Sequence, residues 1–235
     1  MKKPVVNYKN FKLNKLNTDE FRHLKLLLYW PVYGLLFLFV ERIYSVSQYY
    51  PMHCRFDDLI PFNEFFVIPY LYWFIFLIGI HIYTLLYDID AFKKLMKFII
   101  ITYTASIIIY LIFPTCQELR PPVFERNNIF TNFLNAFYQF DTNTNVCPSI
   151  HVIGSFAVMF TAWHTKGLDN TPSRIMHAIV GTLICISTVF LKQHSVIDIM
   201  AALPICVIGY CLCFSKTEKE QFCGDETKFD TIKPR

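Results

Sequence analysis

The chain has 235 residues, of which 54% are hydrophobic, 17% aromatic and only 17% charged. That balance excludes an ordinary soluble domain, where about a quarter of residues are charged, and predicts an all-α polytopic membrane protein. The net charge of +4 comes with no nucleic-acid-binding motif, so it is read as a topological signal at the membrane surface rather than a polyanion site.

A helix needs about 20 apolar residues to cross a hydrocarbon core of roughly 30 Å. Six runs approach that length, at 24–46, 65–87, 95–113, 150–165, 175–191 and 195–214, and they predict a bundle of six transmembrane helices. Three parts follow: a basic leader (1–23), the membrane domain (24–214) and a polar tail (215–235). The leader is long and no small-residue cleavage site follows it, so the first run is expected to stay as a span. The tail mixes charges without an apolar period and is expected to be solvated.

Lysines and arginines are biased to one side. The leader carries Lys2, Lys3, Lys9, Lys12, Lys15 and Arg22, with Lys25 just beyond it, even crossings return Lys93, Lys94, Lys97, Lys166 and Arg174, and the tail adds Lys216, Lys219, Lys228, Lys233 and Arg235. The positive-inside rule then puts both termini in the cytoplasm, with the plasma membrane as the expected location. The opposite side holds chiefly Arg55, Arg120, Arg126 and Lys192. These few cations are candidates for a task.

The loops on that side are 47–64, 114–149 and the tight 192–195. Within the second, "NNIFTNFLNAFYQF" (127–140) spaces bulky apolar residues at helical intervals and predicts a helix lying on the membrane surface, as a lid or a lipid entrance. Of the eight cysteines, Cys185, Cys206, Cys211 and Cys213 sit in apolar runs as packing residues. Cys54, Cys116 and Cys147 share the outer side, and their pairing is left open.

The chemistry gathers in those loops. His151 opens the fourth run, the chain crosses twice, and Lys192 and His194 reach the same face at the start of the sixth. Arg120, in "PTCQELRPP", leaves the third run there. Asp198 follows His194 by four residues, one helical turn away on the same face. An aspartate inside a span is costly and marks a candidate site. Bonded to one ring nitrogen of His194, it would leave the other free to attack an electrophile. Phosphorus suits: Arg120 would clamp phosphate oxygens, Ser149 and the helix N-terminus beside it would add donors, and His151 would protonate the leaving oxygen. Lys192 would supply a further charge or act as an interfacial anchor.

"LRP" (119–121), "PSIH" (148–151) and "HSVID" (194–198) resemble the three signature motifs of the type-2 phosphatidic acid phosphatase superfamily in order and spacing. "FDDLIPFNEFFVIPYLYWF" adds a likeness to its membrane branch containing the inositol phosphorylceramide synthases. The resemblance implies a phosphohistidine on His194, Asp198 orienting it, His151 as acid then base, and phosphate bound by Arg120 with Ser149; no cofactor is expected, and the charge of Arg120 argues against a metal beside it. Three positions depart from the pattern: Phe113 stands where a lysine is expected, Ile150 where a glycine is, and Thr188 where an arginine is. The phosphate pocket therefore has fewer fixed charges, which suits a singly charged diester somewhat better than a monoester.

The expected function is a membrane lipid phosphate phosphohydrolase acting on a lipid phosphate or phospholipid. The alternative is a phospho-head-group transferase of the inositol phosphorylceramide or sphingomyelin synthase type. Hydrolysis is placed ahead because water needs no second site and none is identified in the sequence. A metal-binding facial triad and a proton-relay transporter are more distant alternatives. His23, His53, His81, His164 and His177 are expected to be structural. Glu41 with Arg42, and Asp57 with Asp58, are expected to be interfacial or loop charges.

Overall fold

The computed structural model describes residues 4–44 and 46–215; the expected polar tail lies, beyond Ser215, outside the described residues. The chain is 69% helical. The elements are α1 (Tyr29–Arg42), α2 (Arg55–Leu59), α3 (Val67–Tyr87), α4 (Ile89–Ile112), α5 (Ile129–Phe140), α6 (Ile150–His164), α7 (Thr171–Phe190) and α8 (Val196–Cys213). One parallel pair of two-residue strands, β1 (Tyr50–Pro51) with β2 (Thr115–Cys116), joins the first loop of the site end to the second. An all-α membrane bundle fits this architecture.

Local chemistry sets the helix ends. Asp88 both ends α3 and caps α4: its Oδ1 accepts from Ala91 N–H at 3.1 Å, and its Oδ2 accepts from Lys166 N–H at 3.1 Å. This cap starts α4 six residues before the apolar run expected at 95–113, so Lys93 and Lys94 stand inside the helix. Hydropathy alone misses such polar first turns. Phe113 ends α4 because Pro114 disfavours helical geometry in the residue before it. Asn170 accepts from Ser173 N–H at 3.0 Å, and a proline follows in the first turn of α7, where it removes no helical hydrogen bond.

Among the described residues, five helical stretches are long and apolar enough to cross a membrane: Arg22–Arg42, Glu64–Tyr87, Ile89–Ile112, Thr171–Phe190 and Val196–Cys213. The first and second include 3-10 turns ahead of α1 and α3. α6 is apolar but has only 15 residues, about 22 Å at 1.5 Å per residue. It packs against α3, α4, α7 and α8, and Val152, Ile153, Ala157, Val158 and Ala162 on it are fully buried. A helix sheathed in protein need not match the thickness of the hydrocarbon layer.

The two ends of the bundle differ. At one, Val5 N–H donates to the Leu86 carbonyl and Tyr8 Oη to the Leu85 carbonyl, so the leader docks against the α3–α4 turn. At the other lie the loops that carry the motifs. The central helix is held close by Gly154, where a Cβ would stand 2.7 Å from Tyr103 Oη and 2.8 Å from the Trp73 ring. Gly154→Ala is therefore expected to destabilise the fold by about 1–3 kcal/mol through overpacking, measured as a lower melting temperature in detergent. An unchanged melting temperature would show that α6 has room to move.

Candidate active site

The α7–α8 turn is short and fully tied. Lys192 takes a left-handed conformation (φ 54°), and the N–H groups of Gln193 and His194 both donate to the Thr188 carbonyl, at 2.9 and 3.2 Å. Ser195 then caps α8, accepting from Ile197 N–H at 3.1 Å, while Asp198 Oδ2 accepts from Ser195 N–H at 3.0 Å. This is a capping box, two orphan donors satisfied reciprocally. The same Asp198 Oδ2 lies 3.1 Å from His194 Nδ1. Asp198 is completely buried, so one carboxylate both starts the helix and orients the imidazole.

His151 stands across from His194, with ring centroids 5.7 Å apart. Tyr70 stacks on it at 4.5 Å and Trp73 leans on it at 4.6 Å. The starts of α6 and α8 are joined by a bond from Ser149 N–H to the Asp198 carbonyl at 3.2 Å, and Tyr110 Oη holds the Pro148 carbonyl at 2.6 Å. Both histidines face a polar pocket of about 60 Å³, whose wall also carries Glu41, Asp141, Asn145 and Gln193. A second, apolar cavity of about 630 Å³ runs along α1, α3 and α4 under Phe137 and Phe140 of α5. The two share Phe37, Tyr70, Asp141, Ile150 and His151. The polar pocket and the apolar cavity thus meet at His151.

The expected phosphate ligands are placed unequally. The Ser149 Oγ is buried without a partner among the described residues. The Arg120 guanidinium donates to the carbonyls of Tyr138 (3.2 Å), Asp141 (2.8 Å) and Thr142 (3.0 Å) and to Gln193 Oε1 (2.6 Å). Its Cζ also lies 4.4 Å over the Tyr138 ring. Arg120 therefore stands behind the pocket wall, with its Nη donors committed. Burial pulls its pKa below the usual value, against the opposing pull of Asp141.

Lys192 is turned away: its Nζ donates to the Asp57 and Ile60 carbonyls at 2.7 and 2.6 Å, where it caps the end of α2. Among the described residues no lysine or arginine lines the polar pocket. Of the three departures, Phe113 stacks on Tyr50 at 4.4 Å, Ile150 lines both cavities, and Thr188 contributes the carbonyl that ties the turn. Cys54, Cys116 and Cys147 are all free. Among the described residues no three His, Cys, Asp or Glu side chains are grouped to hold a metal ion.

Two residues expected to be loop or interfacial charges are central instead. Asp57 is 2% exposed. It accepts from Ser195 Oγ (2.6 Å), Val196 N–H (2.8 Å) and Cys54 N–H (2.8 Å), which fastens α2 to the N-terminus of α8. Burial alone would raise its carboxyl, but these hydrogen bonds outweigh burial and hold the pKa below the ordinary value. Glu41, near the end of α1, accepts from Asn145 Nδ2 (2.8 Å), Thr144 Oγ1 (3.2 Å) and Thr142 Oγ1. An S-x-x-D signal ahead of an apolar run marks the cap at Ser195 in the sequence, but no local signal points to Asp57 or Glu41.

A family model described as the PAP2 superfamily matches residues 94–222, more than half of the chain, and spans all three motifs. The chain belongs to the PAP2 superfamily. No curated protein and no solved structure shows a significant match to it. PAP2 membership supports a phosphatase or phosphotransferase type of function, and with the apolar helices it points to a lipid substrate in a bilayer.

The Asp57 clasp has a measurable acid signature. Because its folded pKa is depressed, its stabilisation is full above the unfolded value of about 3.9 and fades as pH falls through the folded value. Asp57→Ala should cost about 2–4 kcal/mol by leaving buried donors unpaired. It should also make the melting temperature fall less steeply below about pH 4 than in the native chain. Equal acid slopes in both proteins would rule out the clasp.

Proposed function

We propose that the chain is an integral-membrane phosphohydrolase of a lipid phosphate, working through a phosphohistidine on His194. One observation carries the reading: the His194–Asp198 pair faces His151 across a polar pocket that opens onto an apolar cavity. With Nδ1–H donated to Asp198, the free Nε2 of His194 attacks phosphorus. The P–N bond forms as the P–O bond to the lipid alcohol breaks, and His151 protonates the departing oxygen. Water then attacks phosphorus while His151 takes its proton. The P–N bond breaks, its electron pair returns to Nε2, and phosphate leaves, or the phosphorylated head group where the substrate is a diester. Asp198 stabilises the imidazolium in between.

Ser149 Oγ and the first N–H groups of α6 are assigned to the phosphate oxygens. Arg120 acts through Gln193 and the wall that it holds, and Lys192 through α2; direct phosphate contact by either requires those carbonyl bonds to open. A pocket lining without lysine or arginine among the described residues favours a second reading, transfer of a diester head group to an alcohol with the same histidines. α6 is taken to cross as well, the fourth of six spans in chain order, with both termini on the cytoplasmic side of the plasma membrane.

His194→Ala should abolish turnover of phosphatidic acid, lysophosphatidic acid and phosphatidylinositol, and His151→Ala should lower it by about 10²–10⁴-fold, with insertion intact. Free phosphate and new phospholipid are measured separately, with and without ceramide or diacylglycerol. An active His194→Ala protein ends the proposal, and acceptor-dependent product without free phosphate replaces hydrolysis by transfer. Reporter fusions at Thr217 and Asn128 should fall on opposite sides of the membrane; the same side for both would refute the six-span orientation.

A further inference from the structure

The wall opposite the histidines is built from hydrogen-bond acceptors. Glu41, Asp141, Asn145, Thr142 and Thr144 all line the polar pocket. A carboxylate offers about four acceptor positions. On Glu41, Thr142 and Thr144 occupy Oε2 and Asn145 Nδ2 occupies one position on Oε1, so one position on Oε1 is left. Beside it, Asn145 is 5% exposed and its Oδ1 has no partner among the described residues. A buried acceptor without a donor is costly; Asn145 Oδ1 is one, and with the open position on the half-buried Glu41 beside it, it calls for a ligand that brings N–H or O–H groups.

Charge narrows the class. Arg42, next to Glu41, donates its Nη2 to the Phe140 carbonyl at 2.5 Å and does not line the pocket. Arg120 is committed behind the wall. Phe37, Tyr70 and Tyr110 also line the pocket, and aromatic faces attract cations. A doubly charged phosphate monoester meets Glu41 and Asp141 here; Arg120 offsets Asp141, pairing with its Oδ2 at 3.5 Å from behind the wall, and no cation is paired with Glu41 among the described residues. A head group carrying its own cation places phosphate at the histidines and the cation at Glu41, and both partners are satisfied.

We propose that Glu41, with Asn145, is the specificity-determining contact for a zwitterionic phosphodiester head group, one that carries an ammonium a few bonds from its phosphate. The proposal rests on the reading of this pocket as the phosphoryl site and selects the diester within it. Glu41 precedes the stretch matched by the family model, so the contact belongs to this chain's own N-terminal helix.

The test compares phosphatidylethanolamine, phosphatidylglycerol and phosphatidic acid of identical acyl chains in mixed micelles. In the native protein kcat/KM for the ethanolamine lipid should exceed that for the glycerol lipid at least tenfold, and Glu41→Gln should reduce this ratio to within threefold of one. Preference for phosphatidylglycerol, whose head group donates through hydroxyls alone, or for phosphatidic acid, overturns the assignment. So does an equal effect of Glu41→Gln on all three lipids.

The His194→Ala protein gives a reading without turnover. Its melting temperature should be higher in micelles with phosphatidylethanolamine than with phosphatidylglycerol, and Glu41→Gln in that background should remove the difference. Equal melting in both lipids overturns the assignment. Selective stabilisation without turnover by the native protein would sink the phosphoryl-transfer reading and leave the head-group site standing.

Discussion

A fully buried carboxylate is the constraint on which the site depends. Asp198 sits at the start of a helix in an apolar bundle, where an unpaired charge is too costly to keep. Its Oδ2 finds Ser195 N–H and His194 Nδ1. The first bond starts α8 and the second sets the imidazole. Asp57 repeats the device from the other side, holding Ser195 Oγ and Val196 N–H. Two carboxylates thus grip one helix N-terminus, where unsatisfied N–H groups favour negative charge, and His194 is carried on the gripped turn.

The cations of the site end serve carbonyl oxygens more than the pocket. Arg120 gathers the carbonyls of Tyr138, Asp141 and Thr142, where α5 ends and the chain turns back toward α6. Lys192 closes the last turn of α2. Burial lowers the pKa of both, because each leaves water for the protein interior. Their contribution is wall geometry. What the pocket presents is imidazole, amide, hydroxyl and carboxylate.

The junction of the two cavities at His151 has its own cause. Tyr70 and Trp73, three residues apart on α3, lie on one helix face and enclose the His151 ring, while Gly154 one turn further along α6 lets Trp73 and Tyr103 come close. The apolar cavity therefore ends on an imidazole edge instead of a sealed core. α5 roofs the far side with Phe137 and Phe140, as its amphipathic sequence requires of a helix with one apolar face.

Much of this was legible in the chain itself. Long apolar runs dictate membrane helices because lipid satisfies no backbone group, and the spacing of His194 and Asp198 dictates their meeting because a helix repeats every 3.6 residues. α5 was legible from its periodicity, and the common face of His151 and His194 from two crossings between them. The start of α4 was not, since its first turns are polar. Nor were the partners of long side chains. Arg120 and Lys192 have enough reach to meet either a phosphate or a carbonyl, and only the packed loops decided for carbonyls. Glu41 and Asp57 look like surface charges in sequence because, Cys54 N–H apart, the groups they meet lie 101 to 139 residues away. Local geometry is written in the spacing of neighbours, whereas the donors that a buried carboxylate finds exist only once distant loops have closed around it.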